Sequence, residues 1–174
     1  MLTFVLFAVV AIAALLVYAA TRPGAFRLER STVIAAPAEK VFALIDNFHH
    51  WPQWSPWEHI DPALKRSYSG PAAGRGAGYQ WEGNRKVGSG SMEIIESVPA
   101  SKVVLKLDFL KPFEAHNTTE FTIKANDGAT HVSWVMYGPN NFIAKLMQTF
   151  ISMDKMVGGQ FEQGLAQMKA AAEK

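Results

Sequence analysis

Tyr79, Asn117 and Thr119 are the polar side chains best placed to orient a small molecule. The alternation of their neighbours sets each on the same side of a strand as large apolar residues, Tyr79 with Trp81, and Asn117 and Thr119 with Phe121. A hydroxyl or amide left unpaired in apolar surroundings costs about 1–3 kcal/mol, so each must bond either neighbouring backbone or the polar end of a ligand. Other chemistry is sparsely represented. The chain has no Cys, which excludes disulfides, thiol nucleophiles and zinc–thiolate sites. The histidines His49, His50, His59, His116 and His131 follow no zinc-ligand spacing, and no H-E-x-x-H occurs. His116 and His131 fall on strand faces opposite the apolar ones, whereas His49 and His50 border a Trp-rich stretch. Glu58 and His59 would form an acid–base pair only if the fold brought their side chains together. Gly74-Arg75-Gly76-Ala77-Gly78 runs into a strand rather than opening a helix, so it is a turn and not a dinucleotide fingerprint. No catalytic set, metal site or cofactor motif emerges.

The strands that carry these residues lie between Leu64 and Gly138. Turn signals recur there at Gly70-Pro71, Gly83-Asn84, Val98-Pro99-Ala100, Lys111-Pro112 and Asn126-Asp127-Gly128. Between them Val103, Leu105, Leu107 and Phe109 oppose Lys106 and Asp108, while Phe121 and Ile123 oppose Glu120, Thr122 and Lys124. Val132, Trp134 and Met136 oppose His131, Ser133 and Tyr137. Period-two alternation of this kind describes an antiparallel sheet with one wet face and one covered face. Asn126-Asp127-Gly128 suits a tight hairpin. Upstream, Phe26 to Ala36 reads as a strand, Ala38 to about Asp46 as an amphipathic helix, and Asn47 to Trp57 as a short helix and a Trp-rich loop broken by Pro52 and Pro56.

The C-terminus changes period. Ile143, Leu146, Met147, Phe150, Met153, Val157, Phe161, Leu165 and Met168 step by three and four, which predicts one long amphipathic helix to about Ala171. It is the one element long and apolar enough to cover the sheet. The fold class is therefore α+β, a curved antiparallel sheet closed by a long C-terminal helix. The faces so assigned line a cavity with Tyr79 and Trp81, Met92 and Ile94, Leu105, Leu107 and Phe109, Asn117, Thr119 and Phe121, and Trp134 and Met136. Met153, Val157 and Phe161 face back from the helix. This interior is expected to be hollow and free of ionisable groups. Gly158 and Gly159 in mid-helix cost about 1 kcal/mol each relative to Ala, and room for a ligand or for the sheet is one reason to keep them. The three tryptophans Trp51, Trp54 and Trp57 read as a core cap first, a lid second and a membrane contact third.

Residues 1–21 carry no charged side chain, and eleven of Leu2 to Ala20 are Leu, Ile, Val or Phe. Nineteen helical residues span about 28 Å, close to the ~30 Å hydrocarbon thickness of a bilayer. No basic residue precedes the run and it exceeds a signal-peptide apolar stretch, so a retained anchor is favoured over a cleaved signal. Arg22, Arg27 and Arg30 follow it directly, which sets the domain on the cytoplasmic side by the positive-inside rule, with a periplasmic or secreted domain after cleavage as the alternative. The expected organisation is an anchor at 1–21, a linker at 22–25 and one domain at 26–174. All 17 Lys/Arg and all 15 Asp/Glu lie beyond the anchor, so the domain is nearly neutral and has no polybasic footprint for nucleic acid.

Specific segments add to this order of elements. Ala36-Pro37-Ala38-Glu39-Lys40-Val41-Phe42, Trp51-Pro52-Gln53-Trp54-Ser55-Pro56-Trp57, Val87-Gly88-Ser89-Gly90-Ser91-Met92 and Phe161-Glu162-Gln163-Gly164-Leu165 resemble the START-like helix-grip superfamily, also called SRPBCC or polyketide cyclase/dehydrase. The resemblance covers roughly Phe26 to Lys174. It implies a sheet–helix cavity that binds lipids, polyketides, hormones or quinones in different members, and so a hydrophobic small molecule or lipid as partner; the membrane, reached through the apolar N-terminal helix, is the other expected partner. It does not imply a shared reaction. A cyclase- or aromatase-type enzyme, or a protein-interaction and stress-response module, are the other functions the superfamily hosts.

Overall fold

The computed structural model describes residues 1–174, the side chain of Leu2 excepted. The first helix, α1, spans Leu2–Thr21, followed by β1 (Ala25–Ile34), α2 (Ala38–Asp46) and two 3-10 turns at Phe48–Gln53 and Pro56–His59. Strands β2 (Lys65–Ser69), β3 (Gly78–Glu82), β4 (Ser89–Val98), β5 (Lys102–Lys111), β6 (Ala115–Asn126) and β7 (Ala129–Pro139) then form a meander. All neighbours are antiparallel, in the order β1-β7-β6-β5-β4-β3-β2. The first strand therefore pairs with the last, and β1 and β2 are the two edge strands, β1 lying along the C-terminal helix and β2 at the opposite, free edge. Asp127 and Gly128 both have positive φ, 44° and 83°, and join β6 to β7 in the two-residue hairpin that Asn126-Asp127-Gly128 predicts.

The alternation assigned from sequence matches the register. Tyr79 pairs Met92, Met92 pairs Leu107, Leu107 pairs Asn117, and Thr119 pairs Met136, so these side chains share the concave face. Lys106 and Asp108, with their partners Glu93 and Ser91, stand on the other.

The C-terminal periodicity does not make one helix. It divides into α3 (Phe142–Gln148) and α4 (Met153–Ala172). Asn141 caps the start of α3, its Oδ1 accepting the Ala144 N–H at 2.8 Å, and Ser152 marks the division, its Oγ accepting the Lys155 N–H at 3.3 Å. From Met153 onward the predicted stripe holds, and Phe161, Leu165, Met168 and Ala172 are buried on one side of α4. Arg30 on β1 clamps this helix through Asp154 at 2.5 Å and Glu162 at 2.7 Å. Its far end is tied by Lys169 Nζ donating to the Val33 carbonyl at 2.9 Å and by the Ala35 N–H donating to Glu173 at 2.7 Å. β1 starts at Ala25, one residue before the expected domain start.

Among the described residues of α1, burial is confined to the last two turns. Ala19 is fully buried, Leu15 and Arg22 are half-buried, and these three lie on one stripe against α3. An Arg22 guanidinium nitrogen donates to the Gln148 carbonyl at 3.2 Å. The α1 residues preceding Leu15 are exposed, those described.

Candidate functional site

All fifteen residues assigned to the cavity from sequence lie on the concave face or the facing side of α4. Ile94, Leu105 and Phe121 are fully buried, and Tyr79, Trp81, Leu107, Asn117, Thr119, Trp134, Met136 and Phe161 are buried. Met92, Phe109, Met153 and Val157 are half-buried and pack on the rim of the core together with Phe26 and Trp57.

The far half of this interior is filled by rings rather than hollow. Trp134 stacks on Phe161 at 4.0 Å and 15° and on Phe121 at 4.9 Å and 29°. Trp54 and Trp57 meet the Trp134 ring edge-on at 5.5 and 5.9 Å, and Trp51 packs on Trp54 at 4.8 Å. Offset stacks and edge-to-face pairs of this kind are favourable beyond their buried area. Trp51 and Trp54 also cap α2, donating their indole N–H groups to the carbonyls of Ile45 (3.0 Å) and Leu44 (2.8 Å). A helix end leaves its last carbonyls unsatisfied, and these indoles supply the missing donors. Two of the three tryptophans are thus core. Open pockets of about 340 and 480 Å³ lie on the opposite, outer face across β2–β5, lined by polar groups such as Ser69, Gln80, Ser91 and Lys106. Neither lies between the sheet and α4.

The mid-helix glycines are explained differently from one another. A Cβ at Gly158 would come within 2.6 Å of an Arg30 guanidinium nitrogen, and one at Gly164 within 2.8 Å of the Trp134 ring. Gly159 has nothing within 4 Å. The sheet, not a ligand, takes the room at Gly158.

The expectation of an interior without ionisable groups is also overturned. Glu58, in the second 3-10 turn, has a side chain only 4% exposed and turns inward. The Tyr79 hydroxyl donates to one carboxylate oxygen at 2.5 Å and Arg66 Nε to the other at 2.5 Å. Arg66 also donates to the Glu58 and Leu64 carbonyls at 2.9 and 3.0 Å. Burial pushes the Tyr79 phenol well up from its usual range, and the adjacent Glu58 carboxylate adds to the rise. Tyr68 stacks on His49 at 3.9 Å beside this group, at the free edge of the sheet. His59 Nε2 instead meets the Pro52 carbonyl at 2.9 Å, so Glu58 and His59 are no acid–base pair. His50 bonds the Ala43 carbonyl, and Glu82 is exposed. One signal could have exposed the Glu58 group: Arg66 and Tyr68 alternate against Lys65, Ser67 and Ser69, which gives even this polar strand an inward face.

Two buried polar atoms on the concave face have no partner, Asn117 Oδ1 and Trp134 Nε1. Asn117 Oδ1 lies against the Cα side of Gly138, where a Cβ would displace it. Unpaired buried polar atoms are few in folded proteins, and each calls for a ligand or a water. On the outer face, His116 Nδ1 meets Asp108 at 2.7 Å and Lys106 meets the other Asp108 oxygen at 2.8 Å. The hydrogen bond to Asp108 raises the His116 pKa. Burial works to raise Asp108, but Lys106 and His116 together hold it below the usual carboxylate range. Ser152-Met153-Asp154-Lys155 has the S-x-x-K spacing of some acyl enzymes, yet its serine caps α4 through the Lys155 N–H. Among the described residues no group of three or more His, Asp or Glu is placed to hold a metal ion.

A seven-stranded antiparallel sheet gripping a long C-terminal helix defines the helix-grip class of proteins. The chain belongs to the polyketide cyclase/dehydrase and lipid transport family, whose model matches residues 25–173. Among solved structures it is similar to protein CV1439 from Chromobacterium violaceum, with 17% identity, 88% of this chain and 99% of that one covered, and a TM-score of 0.59. It is also similar to the di-domain ARO/CYC BexL of the BE-7585A biosynthetic pathway, with 15% identity, 90% and 53% covered, and a TM-score of 0.64. Major latex-like protein 151 from Panax ginseng has 12% identity, 87% and 100% covered, and a TM-score of 0.62. These likenesses concern the fold. No curated protein matches the chain by sequence.

Proposed function

We propose that the chain is a membrane-anchored binding module that takes a hydrophobic small molecule or lipid against the concave face, at the end where the start of α4 meets the sheet. The reading rests on the unpaired Asn117 Oδ1 and Trp134 Nε1, one acceptor and one donor, set among apolar side chains whose outer members are half-buried. Apolar walls with a few convergent polar groups are how small ligands are usually held. Met92, Leu107, Phe109, Met136, Met153 and Val157 would contact the apolar body of the cargo. Tyr79, Trp81, Ile94, Leu105, Thr119, Phe121, Trp134 and Phe161 form the floor beneath it, and Asn117 bonds its polar end. The family's lipid-transport members support the class of cargo. The anchor is α1, one helix long and apolar enough to cross a bilayer, and Arg22, Arg27 and Arg30 favour a cytoplasmic domain.

The test is native mass spectrometry of residues 22–174 purified without detergent, followed by titration with fatty acids, a quinone and a sterol-like probe while tryptophan fluorescence is read. Saturable quenching near one cargo per chain, weakened by Asn117→Leu for cargo with a hydroxyl or carbonyl end, is expected. An empty protein that takes up none of the probes refutes the reading. A cyclase- or aromatase-type reaction is the second reading, and the inward Glu58 favours it. Cargo recovered with altered mass after incubation, and unaltered with Glu58→Gln, would select it.

A further inference from the structure

The segment from Asn140 to Met153 holds one charged residue, Lys145, in fourteen. Within it Phe142, Ile143, Met147, Phe150 and Ile151 are exposed, Phe150 to 71%. Exposed apolar groups are ordinary when scattered, but five within ten residues form a patch that needs a covering surface. The placement of the patch indicates which surface. α3 packs against α1 along Leu15, Ala19 and Arg22, the last two turns of the apolar helix, and Arg22 bonds its Gln148 carbonyl. Leu15 to Arg22 is seven residues, a rise of about 10 Å. If α1 crosses a bilayer, α3 lies beside its final ~10 Å, which is the depth of 5–10 Å at which amphipathic segments rest in the headgroup–acyl boundary.

We infer that α3 and the Phe150–Ile151 turn after it form a second, interfacial membrane contact that docks the domain on the lipid surface beside its anchor. The inference rests on the reading of α1 as a membrane anchor. The patch is continuous with that helix, its charge pattern matches a bilayer, and Lys145 and Arg22 are the cations placed to meet anionic headgroups. Docking here adds a second point of attachment to the single helix, and two points fix the domain's orientation on the surface better than one. It also brings the start of α4, with Met153 and Val157, to the lipid surface.

The absence of native cysteine makes the test direct. Full-length protein carrying one cysteine at Phe150, Val10 or Lys124 is labelled with an environment-sensitive fluorophore and reconstituted into phosphatidylcholine–phosphatidylglycerol vesicles. Lipids with a quencher at a shallow or a deep acyl position are then introduced. The label at 150 is expected to be quenched at least threefold more by the shallow quencher than the label at 124, and the label at 10 most by the deep one. Quenching at 10 with a label at 150 that behaves like that at 124 overturns the docking inference and leaves the anchor standing. A label at 150 that is shielded from water yet untouched by either lipid quencher also overturns it, in favour of a protein or second copy covering α3. Absence of quenching at 10 removes the anchor, and the docking inference with it.

Discussion

Gly164→Ala and Gly159→Ala lie less than two turns apart on one helix and should have opposite effects on stability. In a helix interior Ala is favoured over Gly by about 1 kcal/mol, and this gain applies to both. At Gly159 nothing lies within 4 Å of the new Cβ, so the full gain is expected. At Gly164 the Cβ would sit 2.8 Å from a Trp134 ring carbon and 3.2 Å from a Pro56 ring carbon. Carbon pairs prefer about 3.5–4.0 Å, so something must move by nearly an ångström. Trp134 has little freedom to do so, with Phe161 on one face, Phe121 on the other and the Trp54 and Trp57 rings at its edges. Overpacking of this kind costs about 1–3 kcal/mol, so Gly164→Ala should come out near 1 kcal/mol destabilised.

The helix preference cancels between the two variants, so their difference, about 1–3 kcal/mol, measures the contacts with Trp134 and Pro56. For a domain of this length, 1 kcal/mol corresponds to roughly 2–4 °C in Tm. Urea unfolding of the full chain in detergent, followed by tryptophan fluorescence, gives the same comparison at 25 °C. Adding Trp134→Phe should relieve most of the Gly164→Ala penalty, since the smaller ring vacates the contact, and a double-mutant cycle isolates that coupling. Equal stabilisation by both alanines would mean that Trp134 can retreat into free space. The rings would then not fill the interior, and a deep cavity beneath α4 would be restored.

Glu58→Gln and Tyr79→Phe probe the buried group at the sheet edge. Tyr79→Phe removes a bond to a charged acceptor and should destabilise by about 1.5–3 kcal/mol in urea unfolding. Glu58→Ala should cost about 3 kcal/mol, the low end for breaking a buried pair, because Arg66 retains some access to water. Burial raises the Asp46 pKa despite a 2.6 Å bond from the Ser97 hydroxyl. A carboxyl raised in the folded state contributes stability below its unfolded pKa, near 3.9, which is lost as pH climbs through the folded value, so Asp46→Asn should raise Tm at pH 7 and lose that advantage near pH 3. The raised His116 pKa should appear in NMR as a ring titration midpoint above ~6.5 that falls back in Asp108→Asn. Its stabilising contribution is present below pH 6.5 and disappears as pH rises through the folded value. A midpoint unmoved by Asp108→Asn would refute the pairing.

The strand faces were legible because alternation is a property of neighbours in sequence. Leu105 and Leu107, or Asn117 and Thr119, lie on one face whatever else the chain does. The same holds for the Asp127-Gly128 turn, where both residues accept positive φ. Alternation gives faces and not volumes, however. Whether Trp134 would have a void above it or Phe161 depended on how α4 approaches, and Gly164 sets that approach through a contact 30 residues away. The Glu58 group joins residues on a 3-10 turn and two strands, which no periodicity links. The division at residues 149–152 was signalled by Ser152, a capping residue inside a run whose three-and-four stepping continues unbroken across it.

That division has a directional consequence. At its far end α4 is tied by Lys169 to the Val33 carbonyl and by Glu173 to the Ala35 N–H, and it rests on fully buried Met168. At its near end the side-chain tie is Arg30 to Asp154, and Met153 and Val157 are half-buried. Local opening follows the distribution of buried contacts, so the near end of α4 separates from the sheet more readily than the far end. The register puts the start of β1 and the end of β7 at this same end, with α1 and α3 attached to them. On the proposed reading an apolar cargo therefore passes between bilayer and concave face at the one place where the helix yields and lipid is adjacent, without crossing water.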